Sequence, residues 1–89
     1  DNVRLDSMVF ESTTRTIHYY NTLVGTADNR LVIDKQQGKL RQALKEGLRS
    51  DAGTKAYKDA GFNFQYTYHS EKKPSEVLFD ATYTTKDYQ

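Results

Sequence analysis

Eighty-nine residues, 36% of them hydrophobic and 28% charged, suffice for one folded domain around one modest core. A net charge of +1 argues against a strong binder of nucleic acid or anionic membrane. The lack of cysteine excludes disulfides, thiol chemistry and zinc–thiolate sites.

Val3 to Phe10 alternate weakly and predict a first strand, with a polar turn over residues 11–14. The stretch 15-RTIHYYNTLV-24 predicts a firmer strand, rich in β-branched and aromatic residues. Ile17, Tyr19, Asn21 and Leu23 share one of its faces, and His18, Tyr20 and Thr22 the other. Gly25 to Arg30 reads as a turn. Asp34 is a helix N-cap candidate with Gln37 placed as in a capping box, and Leu40, Ala43, Leu44, Gly47 and Leu48 form one apolar stripe. Glycine costs a helix up to ~1 kcal/mol relative to alanine, so close packing near Gly47 would account for it there. Ser50 is placed to cap a second, shorter helix that Gly61 closes.

The segment 60-AGFNFQYTYHS-70 follows as a strand with Phe62, Phe64, Tyr66 and Tyr68 on one face. It partly resembles the aromatic strand of RNA-recognition domains, which stack bases on exposed rings. Ala60 stands where that motif needs a cation, Asn63 where it needs a small residue, and Thr67 where it needs an aromatic. The element order differs too, so the rings are expected to wall the core opposite Leu40, Leu44 and Leu48. After the turn 70-SEKKPS-75, residues 76–85 predict the last strand. The expected fold is α+β, β-β-α-α-β-β, one domain over residues 1–89: a four-stranded antiparallel sheet with helices packed on one face.

Little in the chain reads as chemistry. His18 and His69 share the face away from the core with Tyr20, and two histidines without a third ligand at suitable spacing make a poor metal signal. No nucleophile elbow, phosphate loop or locally spaced carboxylate pair is present. The histidines are therefore exposed strand residues or, as pH-responsive candidates, groups that bias a contact in mild acid. Residues 34–58 carry seven Lys/Arg against three Asp/Glu, which makes Lys39, Arg41 and Lys45 a candidate docking surface for an acidic partner.

The motifs 4-RLDS-7, 19-YYNTL-23, 60-AG-61, 66-YTY-68 and 85-TKDY-88 together resemble a set of small envelope domains of Gram-negative bacteria, many of them lipoprotein-like. One version of that family is the MyfF/PsaF type, which supports a membrane-bound transcriptional regulator. The family pattern has cysteines near the positions of Arg49 and Tyr88, and this chain has none. The resemblance implies a periplasmic or membrane-tethered location and no known enzymatic activity, and no cofactor is expected. No apolar run is long enough for a bilayer, and a chain starting at Asp1 is expected to be a mature or excised domain, tethered by a segment outside it.

The expected function is a non-enzymatic protein-interaction domain, an accessory or sensor subunit for a membrane regulator or assembly component. Neither nucleic-acid binding nor membrane insertion is expected of the domain. The alternative is an inhibitor or immunity-type protein that blocks an enzyme or toxin. The surfaces available are the open sheet face with His18, Tyr20 and His69, the basic helix, and an unpaired strand edge.

Overall fold

The computed structural model describes residues 2–89. Its strands are β1 (Val3–Glu11), β2 (Thr16–Leu23), β3 (Asn63–Ser70) and β4 (Val77–Tyr83), adjacent in that order in one sheet. Its helices are α1 (Arg30–Ser50), α2 (Lys55–Asp59) and α3 (Thr85–Tyr88). The α+β class and the two expected hairpins are present. The hairpins do not meet antiparallel, however. β2 and β3 run parallel, from Thr16 opposite Asn63 to Leu23 opposite Ser70, so the sheet is mixed. The cause is α1: its 21 residues carry the chain back along the sheet, as parallel crossovers require. β3 must therefore start at the end where β2 started.

α1 begins earlier than Asp34. Asn29 caps it, its side-chain oxygen accepting from the N–H groups of Leu31 and Val32. Gln37 still donates to Asp34, but within the helix. Ser50 does not cap α2; it ends α1, donating back to the carbonyls of Glu46 and Gly47. Asp51 caps the turn that follows. The exit of α1 is closed by Lys58, whose Nζ donates to the carbonyls of Leu48, Arg49 and Asp51 at 2.6, 3.2 and 2.9 Å. One ammonium thus bonds to three carbonyls at the helix end, alongside the Asp51 N–H on Leu48 and the Thr54 hydroxyl on Asp51. Gly61 ends α2 at φ +79°, as expected.

Phe64, Tyr66 and Tyr68 face the helices, and Phe64 and Tyr83 are completely enclosed. The buried tyrosines keep their hydroxyls bonded at the margin of the core. Tyr83 donates to the Arg41 carbonyl at 2.7 Å, and Tyr88 to that of Phe62 at 2.7 Å. Tyr88 belongs to α3, which replaces the expected end of the last strand. Thr84 and Asp87 form its capping box.

Candidate interaction surface

α1 lies against β4 and α3, and on the helix side of the sheet most of β2 is buried while β1 is left exposed. On the helix side, Val3, Leu5, Met8 and Phe10 of β1 stand opposite Leu23, Asn21, Tyr19 and Ile17 of β2. Leu23, Asn21 and Ile17 are buried, yet Leu5 and Met8 are each 61% exposed and Phe10 52%. The four apolar positions stay on one side because the register slips at Asp6, which has no partner in β2. Without that bulge, Met8 and Phe10 would turn to the opposite face.

The α1 stripe matches this asymmetry. Ile33 and Leu48 are buried and Leu40 and Leu44 half-buried, whereas Ala43 and Gly47 are exposed. A Cβ added at Gly47 would meet nothing within 4 Å, so no close helix–sheet approach explains that glycine. A cleft of ≈ 200 Å³ opens here between Val3 and the α1 residues Leu40, Ala43 and Leu44, floored by Leu23 and Tyr68. Farther along, Phe10 stacks on Phe62 at 5.3 Å, and the Arg15 guanidinium lies 4.8 Å from the same ring.

The opposite face of the sheet is polar and braced. Glu11 Oε2 lies 3.1 Å from His18 Nδ1, and His18 Nε2 lies 2.7 Å from Thr67 Oγ1. Thr67 donates its one hydroxyl hydrogen to Asp80 Oδ2 at 2.5 Å, so its oxygen accepts from Nε2–H. Gln65 donates to the same carboxylate. The chain of bonds crosses all four strands. His18 is consequently 7% exposed, not the open strand histidine expected from alternation. Its neighbours on the sheet, Glu11, Tyr20 and Thr67, pack against it laterally. The carboxylate–imidazole–hydroxyl order resembles a nucleophile array, but the buried Thr67 hydroxyl has already committed its hydrogen to Asp80.

Tyr20 stacks between the two histidines, 4.0 Å from His18 and 6.1 Å from His69 between ring centroids. The three candidates therefore form one aromatic row. Among the described residues His69 Nδ1 is buried with no hydrogen-bond partner. Lys39 and Arg41 are exposed on α1 and Lys45 is half-buried. Two residues apart on a helix means about 200° around it, so Lys39 and Arg41 point to different sides and the three make no single basic face. The apolar side of β1 was obscured in sequence by the bulge, which breaks the two-residue period at Asp6.

Asp6 holds the bulge in place. It accepts from Thr22 Oγ1 at 2.5 Å and from Arg4 Nε at 3.0 Å, and the Thr22 bond chiefly keeps its carboxyl below the usual carboxylate range. Asp28 is lowered likewise, by the Ser70 hydroxyl first and then by the Lys72 N–H. Burial pushes Tyr19, Tyr66, Tyr68, Tyr83 and Tyr88 upward, Tyr66 furthest. Among the described residues no helix is long and apolar enough to cross a membrane.

Residues 1–79 match the family model described as a domain of unknown function, DUF8479. The chain belongs to that family. No curated protein matches the DUF8479 chain in sequence. Among solved structures, it is similar to a candidate secreted protein of Pseudomonas aeruginosa, with a TM-score of 0.84 at 10% identity. The alignment covers 100% of the DUF8479 chain and 74% of the Pseudomonas protein. At that identity the likeness establishes a common fold.

Proposed function

We propose that this DUF8479 domain is a non-enzymatic protein-binding module of the bacterial envelope, an accessory or sensor subunit that docks on a partner through β1. One observation carries the reading: β1 is an edge strand that presents Leu5, Met8 and Phe10 to solvent beside an apolar cleft. Exposed apolar side chains that line one continuous surface mark interaction sites more often than scattered ones do. The polar face supports the same division of labour, because its histidine, threonine and carboxylates bond to one another and brace the sheet behind β1. The envelope location is supported by the resemblance of the sequence motifs and by the candidate secreted protein that shares the fold.

Site-specific photo-crosslinking in the native host tests the reading. A photoreactive residue at Met8 should give discrete adducts with an envelope protein, and one at the exposed Gln42 on the outer side of α1 should not. Equal labelling from both positions, or none from Met8, would contradict docking through β1. Adducts of Met8 with a hydrolase or toxin whose activity the domain abolishes would replace the accessory role with inhibition.

A further inference from the structure

The outer edge of β1 is complementary to itself. With Asp6 standing outside the ladder, Arg4, Ser7, Val9 and Glu11 lie on the polar side and Val3, Leu5, Met8 and Phe10 on the helix side. In an antiparallel pair, residues directly opposite point to the same face, so only alternate registers are allowed. With Ser7 on the two-fold axis, Arg4 falls opposite Val9 and Glu11 finds no cation. With Val9 on the axis, Ser7 to Glu11 pair and Val3 to Leu5 run past the end. With Met8 on the axis, Arg4 falls opposite Glu11 and Leu5 opposite Phe10, twice each by symmetry.

We propose that β1 pairs antiparallel with β1 of a second copy of this chain, with Met8 on the two-fold axis, Arg4 opposite Glu11 and Leu5 opposite Phe10. This rests on the reading of β1 as the docking element and names its occupant. Charge complementarity selects the occupant. Arg4 and Glu11 keep 56% and 38% of their side chains exposed, although Arg4 already pairs with Asp6 and Glu71 and Glu11 lies against His18 in its own chain. Leu5, Met8 and Phe10 of both copies then form one apolar strip across the axis. Charges and a bulge on an edge strand discourage arbitrary strands; a second β1 answers both charges and places each bulge against the other's Val9–Phe10 step. The contact is isologous and closes at two copies.

Two measurements test it. First, the chain lacks cysteine, so Met8→Cys introduces a unique thiol that should oxidise to a disulfide-linked dimer. Lys86→Cys, exposed on α3, should not. Second, Arg4→Glu and Glu11→Arg should each weaken self-association by roughly tenfold, because each sets like charges opposite twice. An equimolar mixture of the two variants should recover it as a heterodimer, since both opposed pairs are again of opposite sign. Sedimentation of a monomer at the highest soluble concentration, or equal oxidation at positions 8 and 86, would overturn the proposal. A monomer whose Met8 still crosslinks to a different protein would overturn self-pairing alone and leave β1 as a docking element.

Discussion

Asp6 accepts the Thr22 hydroxyl at 2.5 Å while standing outside the β1–β2 register, and this bond ties to β2 the bulge that aims Met8 and Phe10 toward the helix side. Its pH dependence follows from the lowered carboxyl. A depressed carboxylate contributes stability above its unfolded value of about 3.9, and loses that contribution as pH falls through the lowered folded value. Asp28 adds to the same window. Urea midpoints should therefore fall below about pH 4, and Thr22→Val or Asp28→Asn should flatten that fall.

The alkaline limit has the opposite sign. Burial holds Tyr19, Tyr66, Tyr68 and Tyr83 neutral in the fold beyond the unfolded value of about 10. Their contribution is complete below that pH and is lost as pH rises above it. Tyrosinate absorbance from these residues should appear together with the loss of circular dichroism. Ionisation at the ordinary value in an intact fold would contradict the packing described.

Gly38 and Gly47 occupy helical positions where an added Cβ meets nothing within 4 Å. Gly38→Ala and Gly47→Ala should each stabilise the domain by about 0.5–1 kcal/mol, measured by thermal or chemical denaturation.

Lys58→Met removes the donor that three carbonyls share at the end of α1. The expected loss is about 1–3 kcal/mol, with hydrogen exchange rising first around residues 48–51. An unchanged midpoint would mean that water replaces the ammonium without cost.

Thr67→Val breaks the cross-sheet brace at its centre, leaving His18 Nε2 and Asp80 without their shared partner. Its cost should again be about 1–3 kcal/mol. Val at Thr82, on the same strand as Asp80 and outside these bonds, serves as the control.

Much of this was legible in the sequence where a periodic signal was unbroken. The alternation of Ile17 to Leu23 and of Phe64 to Tyr68 gave the strands and their inward faces correctly. The core role of the aromatic strand followed from it. Boundaries set by side-chain bonding were harder: Asn29 outcompetes Asp34 as the cap of α1 because its oxygen reaches two free N–H groups. The parallel β2–β3 pair depends on how far the chain travels between strands, which local pattern does not record. For the site, strand alternation puts Tyr20, His18 and His69 on one face, and the three rings share it. The burial of His18 and the apolar side of β1 were not legible, since one needs bonds from two other strands and the other needs the bulge at Asp6.

The most direct test of docking through β1 is a Leu5→Glu/Met8→Lys double variant assayed for thermal stability and for adduct formation in the native host. Both side chains are largely exposed in the isolated domain, so its stability should stay within about 0.5 kcal/mol of the parent. Adducts from a neighbouring photoreactive residue at Phe10 should disappear. A folded variant that retains its partners would contradict docking through β1, as would a variant that unfolds and thereby shows the apolar strip to be part of the core.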